Sequence, residues 1–264
     1  MLAALGRHPL IVFFALAYLF SWSYWVPVAV AGGGLSHFPG LLGPMVAAFV
    51  TWAIVDGRRG LRDLLARMFR WRVSLRWYAA AVTPAVTGLV GLGMVALFGH
   101  GFPPLHDLSS VPGLPALGWW AVAALMLVIN GYGEETGWRG FAWSRLRERH
   151  SLGGAAIALT VPWAIWHVPL FWIDSGMRGM EPWVIPGWLF GLAAGAVVLG
   201  WLYERARFSI LIPALFHSFL NMASSTAATG GLVAGLVSAL IIVWAIIILR
   251  RHSGGNSMTD DNRR

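Results

Sequence analysis

The chain has 264 residues, of which 58% are hydrophobic and only 11% charged, with a net charge of +8, a mean hydropathy of +0.67 and no cysteine. Soluble domains carry about 25% charged residues, so an ordinary soluble domain is excluded; the missing cysteine excludes disulfides, a thiol nucleophile and cysteine-ligated metals. All the side chains that make the charge positive are arginines, with no lysine. They sit in short loops rather than in a stripe, which argues against nucleic acid as a partner and for membrane topology. The expected architecture is all-α, one polytopic transmembrane bundle of about eight helices over 1–249, followed by a disordered cytoplasmic tail at 250–264.

In chain order, Pro9 to Ala31 is an apolar run long enough to span. It ends in Ala29-Val30-Ala31, which mimics a cleavage site, but it is too long for a signal h-region and is read as retained. A short second span runs from Leu41 to Val55. Arginines then alternate with Leu61, Leu64, Leu65, Met68 and Phe69 at helical spacing, which predicts an amphipathic interfacial helix near 58–72. Spans three to eight are expected at Trp77–Phe98, from Trp119 onward, Gly153–Ile173, Gly187–Tyr203, Phe208–Ser224 and Gly231–Leu249. Arg-rich segments precede spans three, five and seven and follow span eight, while the intervening loops hold only Arg178. By the positive-inside rule both termini are cytoplasmic, and the multi-pass protein is expected in the plasma membrane of a prokaryote. Trp22, Trp25, Trp71, Trp77, Trp119, Trp120 and Trp201 fit an aromatic belt. Gly187, Gly191 and Gly195 form a small-residue face on span six suited to close helix approach. The histidines His8, His37, His100, His106, His150 and His252 lie in loops or at ends and read as solvated.

Three spans carry polar residues inside. Span four ends in Gly131-Tyr-Gly-Glu-Glu-Thr-Gly-Trp-Arg-Gly140, span five holds Trp163 and His167, and span seven holds His217, Ser218 and Asn221. Such residues are costly in a bilayer and usually face a bundle interior or an aqueous cavity. Consecutive helical residues point about 100° apart, so Glu134 and Glu135 cannot both face one site. Glu135 and Arg139 are spaced i, i+4 for an internal ion pair, which makes Glu134 the free carboxylate, with the reversed assignment as the alternative. Asn130, one turn earlier, could join the cavity or bond a neighbouring helix, and is read as the latter. A desolvated Glu134 helped by His167 could deprotonate water, while His217 and Asn221 stabilise an oxyanion. The same atoms could hold a metal: Glu134, His167 and His217 make a two-His-one-carboxylate set, with Zn as the candidate ion. Buried Glu and His also serve proton relays, so a proton-coupled transporter is the competing class, and a non-catalytic immunity or scaffold protein is a third.

At these residues the chain resembles the CPBP family, the CAAX-protease and bacteriocin-processing intramembrane endopeptidases, also called Abi proteins. Its pattern of E-E-x-x-x-R, aromatic-x-x-x-H and H-x-x-x-N or D is met by Glu134-Glu135-Thr-Gly-Trp-Arg139, Trp163-Ala-Ile-Trp-His167 and His217-Ser-Phe-Leu-Asn221. The aromatic is usually Phe and is Trp here. The resemblance covers about 119–224. It implies an intramembrane endopeptidase acting on a membrane-associated peptide or protein, lipidated in the eukaryotic relatives. It also implies that Glu134 and His167 activate water and that His217 and Asn221 form the oxyanion hole, with Glu135, Arg139 and Trp163 in support. Metal dependence stays open under this resemblance.

Overall fold

The computed structural model describes residues 7–260, with the side chains of 99, 100, 105 and 253–260 outside that description. Eight helical runs make a bundle: α1 Pro9–Val30, α2 Gly43–Met68, α3 Leu75–Val95, a composite α4 over 119–146, α5 Leu152–Trp166, α6 Ile185–Arg205, α7 Leu211–Ser225 and α8 Leu232–Asp260. Among the described residues there is no strand. Among the described residues, five helical stretches are long and apolar enough to cross a bilayer: Pro9–Val30, Phe38–Met68, Leu75–Phe98, Pro182–Arg205 and Leu232–His252. The protein is an integral, multi-pass membrane protein.

The three remaining runs are the ones that carry the polar constellation. α5 and α7 have 15 residues each, about 22 Å at 1.5 Å per residue, against a hydrocarbon core of about 30 Å. α5 stops at Trp166 because His167, Val168 and Pro169 form tight turns before a single helical turn, Leu170–Ile173. The continuous span expected through Ile173 is therefore broken, since Pro169 lacks the N–H that the helix would need. α4 is irregular in another way. Wide π-type turns at Met126–Tyr132 and Trp138–Trp143 flank the α-helical Gly133–Gly137 that bears both glutamates, and such turns gather at functional sites.

α4 packs between α2 and α7, α3 packs on α7 and α8, and α6 packs on α5 and α8. Glycines let α4 sit that deep. A Cβ on Gly131 would lie 2.6 Å from the Ala214 carbonyl oxygen, and one on Gly137 would lie 2.5 Å from Pro44. The Gly187, Gly191 and Gly195 face behaves differently from expectation: a Cβ at any of the three would meet nothing within 4 Å. Gly137→Val is therefore expected to destabilise the protein by about 1–3 kcal/mol through overpacking. Gly191→Val should leave the thermal midpoint in detergent nearly unchanged. Equal effects of the two would contradict this packing.

Other departures have simple causes. The amphipathic stretch is helical but ends at Met68, and it continues α2 through a kink at Gly57 (φ 55°, ψ −139°) that suits glycine. Its Gly60, Leu64 and Met68 face is buried in the protein while Arg58, Arg59 and Arg62 stay outside or at the edge. α8 runs on to Asp260, so 250–260 is helical where a disordered tail was expected; 261–264 lie outside the described residues. Trp25 is no belt residue: it is fully buried and its indole donates to the His37 carbonyl at 2.7 Å. His37 is not freely solvated either. Its Nδ1 lies 3.3 Å from Asp174, and burial holds the imidazole below its ordinary range despite the opposing pull of that carboxylate. The side chain of His100 lies outside the described residues.

The arginine-rich ends of the helices are knitted by pairs. Arg67 meets Asp63 and donates to the Tyr203 hydroxyl at 2.9 Å. Arg145 reaches Asp56 and Glu148, and Arg147 reaches Glu204 at 2.6 Å. Partly exposed pairs of this kind contribute little singly, but they tie α2, α4 and α6 together around the base of the polar site.

Candidate active site

α4 places Glu134 and Glu135 in the bundle interior, 2% and 0% exposed. The two carboxylates point to different partners, as successive helical positions require. Glu135 Oε1 accepts from the Arg139 guanidinium at 2.9 Å and from His217 Nδ1 at 2.7 Å. Arg139, also fully buried, stacks over the Trp163 indole with its central carbon 4.5 Å from the ring centroid. Glu135 and Arg139 are thus the ion pair expected from their spacing, with His217 as a further partner.

Glu134 has no arginine on it. Its Oε1 accepts from Asn130 Nδ2 at 3.2 Å and its Oε2 from Trp163 Nε1 at 3.0 Å. The indole that meets Glu134 also packs against both histidines, with ring centroids 5.9 Å from His167 and 6.0 Å from His217. Residues from α4, from the end of α5 and from α7 therefore converge on one indole. Asn221 joins through Asn130: its Nδ2 donates to Asn130 Oδ1 at 2.8 Å. Asn130 does bond a neighbouring helix, as read from the sequence, but it bonds Glu134 as well, so it lies inside the cluster. Its position four residues before Glu134 was the available signal.

The histidines are oriented by the atoms their Nδ1 meets. His167 Nδ1 lies 2.7 Å from the Trp163 carbonyl oxygen, so that nitrogen carries the proton and donates, leaving the Nε2 lone pair free. His217 Nδ1 is held by Glu135, so Nε2 is again the available atom. The turn that presents His167 is braced by α1, a helix that sequence reasoning did not connect to the site. Ending α5 at Trp166 opens the Trp166 carbonyl, which a continued helix would have used. Tyr18 donates to the Pro162 carbonyl at 2.8 Å and Trp22 Nε1 to the Trp166 carbonyl at 3.0 Å. Trp166 in turn donates to Ser21 at 2.7 Å. On its other side His167 packs edge-on against Trp188, 5.5 Å between centroids. Trp188 lines an apolar groove of about 320 Å³ with Ile165, Val168, Phe171 and Leu189.

Glu134, His167 and His217 are the residues that would hold a metal here. Both Glu134 oxygens are already engaged by nitrogen donors, and an indole N–H cannot ligate a cation. Among the described residues no three His, Asp or Glu side chains are grouped as a metal would need.

The comparisons with known proteins fall on this part of the chain. A family model described as type II CAAX prenyl endopeptidase Rce1-like matches residues 116–223, the stretch that contains α4 to α6, most of α7 and every side chain of the cluster. The CAAX prenyl protease 2 of Methanococcus maripaludis is 24% identical over 195 residues, covering 71% of this chain and 70% of that protein. Residues 116–223, with the three motifs in order on three helices, are thus similar to the Rce1-like CAAX prenyl endopeptidases.

Proposed function

We propose that the protein is an intramembrane endopeptidase that hydrolyses a peptide bond of a membrane-associated, lipid-modified substrate without a covalent intermediate and without a metal. The observation that carries this reading is the convergence on Trp163. One indole joins an unpaired buried carboxylate, Glu134, to two imidazoles whose Nε2 atoms are both unused.

In this reading water lies between Glu134 and His167. Glu134 takes one proton while His167 Nε2 accepts a hydrogen bond from the other, which orients the attacking oxygen. That oxygen bonds to the scissile carbonyl carbon, and the carbonyl oxygen becomes the oxyanion. His217, with a proton on Nε2 and its charge balanced by Glu135, donates to it together with the Asn221 amide. The C–N bond then breaks as the Glu134 proton passes to the departing amine. Arg139 and Trp163 hold this frame without touching the substrate. The apolar groove beside Trp188 gives a lipid-side approach to His167. With cytoplasmic termini in the plasma membrane of a prokaryote, the arginine-rich ends and the site would open toward the cytoplasm.

The test is cleavage of a farnesylated peptide ending in a CAAX-type sequence, compared with the same peptide unmodified, using protein purified into lipid nanodiscs. Cleavage of the modified peptide, unchanged by EDTA or 1,10-phenanthroline, is the expected result. Loss on chelation with recovery on added Zn²⁺ would reverse the metal-free part of the reading. Absence of cleavage together with pH-driven solute flux in vesicles would replace the hydrolase with a transporter.

A further inference from the structure

We infer that Asn130 is a positioning residue that sets which way the Asn221 amide faces, and so couples the oxyanion donor to the base. The inference rests on the roles given above to Glu134 and Asn221. Asn130 is 4% exposed and sits between them, donating to Glu134 at 3.2 Å and accepting from Asn221 at 2.8 Å.

The direction of this relay follows from donor and acceptor counts. An ionised carboxylate only accepts, and the indole N–H on its other oxygen only donates. Asn130 must therefore turn its amide nitrogen to Glu134. Its carbonyl oxygen is then left for α7, where it can be met only by a donor. Asn221 must turn its nitrogen inward, which uses one of its two amide hydrogens and keeps the other for a substrate oxygen. Without Asn130, the Asn221 amide could rotate by half a turn and offer its own carbonyl oxygen to the oxyanion, and two acceptors repel. The wide turn at Met126–Tyr132 carries Asn130, and the close contact at Gly131 brings α7 within reach.

The experiment uses the full chain in nanodiscs, the farnesylated CAAX-type peptide and Asn130→Leu, which keeps the heavy-atom branching of the side chain. Because the orienting effect is realised only when the oxyanion forms, kcat should fall about 10-fold or more while KM stays within about twofold. Asn130→Leu added to Asn221→Ala should cost clearly less than it does alone, since only the Glu134 hydrogen bond is then left for it to remove. Unchanged kcat, or losses that multiply in the double variant, would overturn the inference. A second readout needs no turnover. The chain has four asparagines, Asn130, Asn221, Asn256 and Asn262, so ¹⁵N-asparagine labelling gives four side-chain amide pairs. The Asn221 pair should be slow to exchange in the native protein and lose that protection in Asn130→Leu, or in Asn130→Ala if the leucine variant does not fold. An Asn221 pair indifferent to both replacements would sink the proposal even if the native protein cleaves. A native protein that leaves the peptide intact while the Asn221 pair responds would instead count against the endopeptidase reading and leave the coupling standing.

Discussion

Glu134→Gln is expected to abolish cleavage of the farnesylated peptide while the protein still folds. Proton transfer by a positioned side chain contributes about 10²–10⁴-fold, and glutamine has no basic oxygen to receive the proton of water. The replacement keeps the shape of the side chain but offers one acceptor oxygen to two donors, Asn130 and Trp163. One of those donors then loses its partner, which costs about 1–3 kcal/mol, a modest shift in the thermal midpoint. Cleavage within a few-fold of native by a folded Glu134→Gln protein would take Glu134 out of the mechanism. A cellular phenotype that survives replacement of Glu134, His167 and His217 alike would favour a non-catalytic immunity or scaffold role.

The second large effect is on stability. Arg139 and Glu135 are both fully buried and 2.9 Å apart. Removing one partner of such a pair leaves an uncompensated buried charge, at a cost of about 3–5 kcal/mol. Arg139→Met should therefore lower the thermal midpoint strongly or prevent assembly of the bundle. Replacing both residues, Glu135→Leu with Arg139→Met, should recover much of that stability, because an apolar pair of similar volume has no charge to desolvate. Cleavage should not return with it. His217 Nδ1 would have lost the carboxylate that holds it at 2.7 Å, and the imidazole would no longer be fixed opposite the oxyanion. Thermal unfolding and peptide cleavage, measured on the single and double variants, separate the two consequences. A stable Arg139→Met protein, or an active double variant, would contradict the account of this pair.

Hydropathy and motif spacing made much of the molecule legible before any coordinates. Helices α1, α3, α6 and α8 follow from uninterrupted apolar runs, and the Glu135–Arg139 pair follows from an i, i+4 interval. The identities of Glu134, His167, His217 and Asn221 as a possible set follow from the high cost of placing such residues in a bilayer. What failed was of a different kind. The glycines at 187, 191 and 195 have the spacing of a packing face but leave open space where a Cβ would stand, whereas Gly131 and Gly137, hidden inside the polar motif, are the ones on which helices close. Spacing along one helix states which residues share a face, but not whether another helix arrives there. Trp25 and His37 failed for the same reason, since what covers them comes from elsewhere in the fold: Trp166 packs on Trp25 and Asp174 meets His37.

The sequence by itself determined the solvent of this protein, the order of its helices and the motifs of its central segment, because those depend on composition and on intervals within single helices. Only the tertiary structure decided which oxygen of which glutamate meets Trp163, that Asn130 bridges to α7, and that α1 holds the broken end of α5 on which His167 is carried. Those contacts join residues from 29 to 144 positions apart, and a hydrogen bond of about 3 Å is settled by where whole helices come to rest, which no local pattern records.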